Sequence, residues 1–197
     1  FLMRPKGVEG PVPMLINIHG GPAQNHSWGY RHGRQFLVNR GYAILSVNFR
    51  GSTGYGKEFQ ALGYREFGRK MQHDIEDATL WAVEQGIADR EALGVIGASY
   101  GGYAATMAAL QRPDLFKVAI AEHAMMDVAY QSQFPPDHWG LNIKSWTKYF
   151  GDPKDEADLQ IMRDYSPITH AANLQVPMLI VAGKRDGVVG IEQTERF

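Results

Sequence analysis

"GASYGGYAA", residues 97–105, decides how this chain is read. Its first five residues fit G-x-S-x-G, with the apolar run "LGVI" at 93–96 before it and an alanine-rich, helix-forming run to Gln111 after it. A serine between a strand and a helix has two ordinary uses. It can cap the helix by accepting a bond from the amides of the first turn. It can also stand on a strained turn with its Oγ exposed at the helix N-terminus, where flanking glycines remove side chains that would collide with the neighbouring strand and helix. The strand before and the helix after favour the second use, and Ser99 is read as a candidate nucleophile. A serine in water keeps its proton at neutral pH, so that use requires a base, an acid and oxyanion donors elsewhere in the chain.

Working outward, short apolar runs alternate with helical periodicity. The spacing predicts strands at 14–18 ("MLINI"), 42–47, 93–96, 116–122 and 176–183, and helices within 29–41 and at 74–85 and 100–111. In the helix at 74–85, Ile75, Ala78, Trp81 and Ala82 are expected on the buried face, and Asp74, Glu76 and Asp77 in the first turn where the helix dipole favours them. Residues 125–173, rich in Trp, Tyr, Pro and His, read as an irregular excursion over the strand ends. Near-continuous apolar strands between helices imply an α/β fold with a parallel or mostly parallel sheet covered on both faces. No internal repeat or low-complexity segment interrupts it.

Composition narrows the function. With 197 residues, 44% of them hydrophobic, one domain over 1–197 with one core is expected. A net charge of -1, with no polybasic run or acidic tail, gives no pull toward nucleic acid or anionic lipid, so a small or neutral partner is expected. No apolar stretch has the length of a membrane span, and residues 1–20 do not have the pattern of an export signal. The absence of cysteine excludes disulfides and thiolate metal sites but leaves the compartment open. No metal and no cofactor are expected.

Two further stretches supply what a serine nucleophile needs. "HGGP", His19 to Pro22, follows the first long strand, and its glycines let backbone N–H groups approach a developing oxyanion closely. The N–H of Tyr100, the residue after the serine, is the second donor that the elbow pattern provides. Asp186 in "VAGKRDGVV" lies just past the strand at 176–183, where an acid would hold a base imidazole in its working tautomer.

In that order and spacing, "HGGP", "VNFRGSTGYG", "DIEDATLWAVEQG", "GASYGGYAA" and "RDGVV…EQTERF" resemble the catalytic domain of the prolyl oligopeptidase family of serine peptidases, nearest its acylaminoacyl-peptidase and dipeptidyl-peptidase branches. The resemblance covers nearly the whole chain. It implies an α/β-hydrolase fold that is incomplete at the C-terminus, Ser99 as nucleophile, Asp186 as triad acid, and Gly21 and Tyr100 as oxyanion donors. It further implies hydrolysis of short peptides or N-blocked aminoacyl peptides, with an N-terminal β-propeller in a longer parent chain. A carboxylesterase and a non-catalytic binding protein of the same fold are the rival readings.

Two departures qualify the resemblance. In such hydrolases the histidine follows the acid, and all seven histidines of this sequence (His19, His26, His32, His73, His123, His138 and His170) precede Asp186. The base is therefore expected beyond Phe197, and the 197 residues alone are expected to be nearly inactive; His123 and His170 are the least unsuitable substitutes. Gly190 stands where the family usually has proline, which should only loosen the turn. Arg50 is expected to brace its loop through carbonyls rather than to orient a substrate carboxylate. Trp139, Trp146, Tyr149 and Phe150 fit either an apolar specificity pocket or a small core within the excursion.

Overall fold

The computed structural model describes residues 1–136, 139 and 143–197; His138 lies outside them. The apolar runs form strands β1 (Leu2–Met3), β2 (Val12–Ile18), β3 (Ala43–Val47), β4 (Ala88–Ala98), β5 (Val118–Glu122) and β6 (Met178–Val181). They make one sheet in the order β1-β3-β2-β4-β5-β6. Only β1 runs antiparallel to its neighbour. The helices are α1 (His32–Asn39), α2 (Lys57–Ala61), α3 (Lys70–Glu84), α4 (Tyr100–Gln111), α5 (Val128–Gln133), α6 (Ile143–Phe150), α7 (Glu156–Asp164) and α8 (Glu192–Arg196).

The register aligns the carboxyl ends of the central strands. Ile18 faces Gly97, Ala98 faces Glu122, and Glu122 faces Val181. The loops that begin at His19, Ser99, His123 and Ala182 therefore open on one edge. From β2 the chain moves outward to β3, then returns to place β4 on the other side of β2. That reversal leaves a crevice between the loops after β2 and β4, the position where open α/β sheets take their ligands.

Helix α4 lies against β4 and β5, and residues 100–109 are all buried. Its alanines and glycines let it sit close to the sheet. Two large rings on it anchor the core: Phe67 meets Tyr100 edge-on at 4.7 Å and lies 5.3 Å from Tyr103. Buried phenols need a partner, and the Tyr103 hydroxyl donates to the Tyr165 carbonyl at 2.9 Å, tying α4 to the segment after α7.

Several sequence expectations change. Helix α3 starts at Lys70, one turn before the predicted start, so Asp74, Glu76 and Asp77 lie beyond its first turn and the dipole does not account for them. Asp74 has a specific partner instead. It accepts from the Arg50 amide at 2.8 Å and from the guanidinium at 2.8 and 2.6 Å. Arg50 thus braces its loop through a carboxylate, not through carbonyls, and its fork is occupied. Trp81 is 46% exposed, because the buried stripe of α3 runs through Met71, Gln72, Ile75, Thr79 and Ala82.

The excursion is more regular than expected, carrying α5, α6, α7 and a 3-10 turn at Pro167–Asn173. Asp155 caps α7 by accepting from the amides of Ala157 and Asp158. Trp139 and Trp146 stack at 4.2 Å, and Trp139, Tyr149 and Phe150 are buried, so these aromatics build a small core within the excursion. Arg65 of the preceding loop forks onto Asp158 and fixes the excursion to the body of the domain.

Candidate active site

Ser99 ends β4 and starts α4 with φ 57° and ψ −120°. A non-glycine residue in this region is strained, and such strain persists only where surrounding packing imposes it. At Ser99 the imposing contacts are close. A Cβ on Gly97 would collide with the backbone of Gly101, and one on Gly101 would collide with the carbonyl of Ile18. The Ser99 amide donates to the Glu122 carbonyl at 2.9 Å, and its carbonyl accepts from Tyr103 at 3.0 Å. Its side chain makes no capping bond to α4. Ser99 therefore occupies the N-cap position without acting as a cap.

The "HGGP" loop lies beside it. A Cβ on Gly20 would stand 3.1 Å from the Ala98 carbonyl oxygen and 3.5 Å from the Ser99 Cβ. Gly21 has φ 113°, which a side chain would oppose. Among the described residues, no acceptor is bonded to the amide of Gly21 or of Tyr100. Next to this loop is a hollow of about 350 Å³, lined by residues 21–24, Ser145, Trp146 and Tyr149. Trp146 and Tyr149 thus serve the excursion's core and also present surface to the crevice.

A buried network beneath the loop holds it in place. The His19 ring stacks on Phe49 at 4.4 Å, and its Nε2 lies 2.9 Å from Ser52 Oγ. His26 donates from Nε2 to the Asn17 carbonyl at 2.9 Å, while its Nδ1 accepts from Arg34 at 2.7 Å. Burial, followed by the charges of His19 and Arg34, pushes the His26 pKa down to about 4. A proton on Nδ1 would point at a guanidinium, so His26 stays neutral in the fold.

This has a consequence for stability. The unfolded imidazole titrates near 6.5, so between pH 6.5 and 4 the unfolded chain binds the extra proton and stability falls as pH falls through that window. His26 accounts for on the order of 3 kcal/mol of that loss. We expect His26→Gln to flatten the change in urea midpoint between pH 7.5 and pH 4.5; equal changes in both proteins would refute this assignment.

Asp186 occupies the turn after β6. Its Oδ1 accepts from the amides of Val188 at 2.8 Å and Val189 at 3.1 Å. Its Oδ2 lies 3.0 Å from His123 Nδ1. Burial acts to raise its pKa, but the two amides and His123 outweigh it and hold the carboxyl below its ordinary value. The turn is fastened by Gln193, whose Oε1 accepts from the amides of Met126 and Asp127. Arg196 adds an ion pair to Asp127 at 2.9 Å. Gly190 lies in this turn, and the atoms nearest to a Cβ there are those of the flexible Glu192 carboxylate.

The sheet edge thus brings together Ser99, Tyr100, Gly21 and Asp186, and with them His123, which sequence reading named only as one of two least unsuitable substitutes for the base. Its position directly after a strand drew attention to it in the sequence; its contact with Asp186 was not foreseen. His170 is not at the site: its Nε2 bonds the Asp164 carbonyl at 2.7 Å.

A mostly parallel sheet with a serine on a strained strand-to-helix turn and an acid after a later strand defines an α/β-hydrolase. The model of the prolyl oligopeptidase family matches residues 28–197, and the chain belongs to that family. It is 38% identical over 178 residues to dipeptidyl aminopeptidase BIII of Pseudoxanthomonas mexicana, covering 90% of this chain and 26% of that protein. It is 29% identical over 180 residues to the acylamino-acid-releasing enzyme of Arabidopsis thaliana, covering 88% of this chain and 23% of that one. A puromycin-hydrolyzing peptidase of Mycobacterium tuberculosis superposes with a TM-score of 0.90 at 27% identity, over 99% of this chain and 30% of that structure. An acylaminoacyl peptidase in complex with Z-Gly-Gly-Phe-chloromethyl ketone gives 0.86 at 29% identity, over 98% and 31%. The chain spans about a quarter of the length of the curated relatives it matches.

Proposed function

We propose that this chain is the nucleophile-bearing part of a serine peptidase that cleaves short peptides or N-blocked aminoacyl peptides. The observation that carries the reading is Ser99: held at φ 57° by close backbone contacts, it makes no capping bond and adjoins the glycine loop. Its Oγ attacks the scissile carbonyl carbon and passes its proton to an imidazole. The amides of Gly21 and Tyr100 hold the resulting oxyanion. The intermediate collapses as the imidazole returns the proton to the leaving amine, and water then hydrolyses the acyl-enzyme.

Asp186 orients that imidazole through Oδ2, since Oδ1 already accepts two amides. The base itself is a histidine outside the 197 residues, in a longer protein whose extra length also accommodates an N-terminal β-propeller. The length of the relatives supports both points. The hollow beside Gly21, with Trp146 and Tyr149 on its wall, suits an apolar substrate side chain. The peptidase assignment draws further support from relatives named dipeptidyl aminopeptidase and acylamino-acid-releasing enzyme.

Turnover of dipeptidyl and N-acylaminoacyl anilides by the full-length protein, compared with p-nitrophenyl esters, tests the substrate class. We expect kcat/KM on an anilide at least comparable to that on the esters. Ester turnover with inert anilides would make the protein a carboxylesterase, and no turnover of either would support a binding role.

A further inference from the structure

Among the described residues only Arg65, Ser99 and His123 combine a side chain with positive φ. Arg65 is accounted for by its fork onto Asp158, and Ser99 by the turn it occupies. His123, at φ 48°, stands on the same sheet edge as Ser99. Its amide donates to the Val181 carbonyl at 2.7 Å, which fixes its backbone beside the end of β6. The imidazole then reaches across to the turn after β6, where Nδ1 meets Asp186 Oδ2 at 3.0 Å. A carboxylate only accepts, so Nδ1 carries the proton in this contact. The Nε2 atom has no hydrogen-bond partner among the described residues.

The carboxylate of Asp186 is therefore held from two sides. Oδ1 takes the amides of Val188 and Val189, and Oδ2 takes His123 and keeps a lone pair for a second imidazole. Without His123, rotation about the Cβ–Cγ bond would be opposed only by contacts at Oδ1. We infer that His123 is a positioning residue for the acid, donating from Nδ1 to Asp186 Oδ2 so that the carboxylate presents its remaining lone pair to the base. The inference rests on the role proposed above for Asp186 and adds a second histidine to that acid.

Backbone geometry provides suitable variants. At positive φ, glycine is unstrained and asparagine is well tolerated, so His123→Gly and His123→Asn both suit the native turn. Asn Nδ2 stands two bonds from Cβ, as His Nδ1 does, and can donate to the same oxygen. In the full-length protein we expect His123→Gly to lower kcat by about 10- to 100-fold with KM little changed, the effect of misplacing a group that aligns the reacting atoms. We expect His123→Asn to restore most of that loss, and fluorophosphonate labelling of Ser99 to follow the same order.

A glycine variant with wild-type kcat and labelling, beside an Asp186→Ala variant that has lost both, would overturn the inference and leave the proposed function intact. An asparagine variant as slow as the glycine one would also overturn it, because the imidazole and not its Nδ1 donor would then be required. Absence of labelling at Ser99 in the wild-type protein would remove the proposed function and this inference with it.

Discussion

We expect Ser99→Ala to abolish turnover by the full-length protein, lowering kcat by about 10⁴- to 10⁶-fold as loss of the proposed nucleophile would, and to leave stability nearly unchanged. The two readings of this serine give opposite results. A capping serine would cost about 1 kcal/mol of stability on replacement by alanine and leave activity in place. Ser99 makes no cap bond, so alanine removes no stabilising contact from α4. Alanine also keeps the Cβ and hence the strain at φ 57°. Ser99→Gly separates the terms further. It is expected to lose the same activity but to relieve the positive-φ conformation, stabilising the fold by roughly 1 kcal/mol. The measurements are anilide and ester turnover together with urea midpoints. A catalytically intact alanine variant with a lowered midpoint would return Ser99 to the role of a cap.

The strands and the elbow were legible because their signals are local. The consecutive residues Met14, Leu15 and Ile16, like Ile44 and Leu45, are buried and point to opposite faces, and parallel strands covered on both faces read as continuous apolar runs. The helix expected within 29–41 ends where Gly41, at φ 94°, follows the last turn of α1. What failed depended on partners distant in sequence. Asp74 looked like a helix-dipole residue until the fold placed Arg50 against it, 24 residues away. Trp81 had the hydrophobicity of a core residue but lies outside the stripe that faces β3 and β4. The helices of the excursion were hidden because they are short: α6 does repeat its apolar residues at Ile143, Trp146 and Phe150, but over two turns only, and α5 and α7 are of similar length.

The placement of the candidate site residues at one sheet edge was legible by the same logic. Ser99, Gly21 and Asp186 each sit in a short pattern next to an apolar strand, and strand register does the rest. His123 carries no pattern around it. Its meeting with Asp186 follows from β5 and β6 pairing in a register that matches Glu122 with Val181, a fact of the sheet and not of the local sequence.

Gly101→Ala should destabilise the protein by more than about 4 kcal/mol, in the range that marks overpacking against an immovable neighbour. Helix propensity acts the other way, because alanine within a helix is favoured over glycine by about 1 kcal/mol. Steric conflict decides the sign. A Cβ at Gly101 would overlap the Ile18 carbonyl, and the His19 carbonyl lies 3.0 Å away. Neither is the end of a flexible side chain. Ile18 is paired to both β3 and β4, so moving its carbonyl disturbs two ladders. The shift would also carry His19 and the glycine loop away from Ser99, so activity should fall with stability. Gly33→Ala in α1 is the matched control, since nothing lies within 4 Å of its Cβ position and its φ is not positive. There propensity acts unopposed, and a gain of up to about 1 kcal/mol is expected. Urea midpoints of the two variants compare propensity with contact directly. A Gly101→Ala protein as stable as wild type would mean that α4 can lift from the sheet without cost, and close packing of α4 on β2 would then not be what strains the backbone at Ser99.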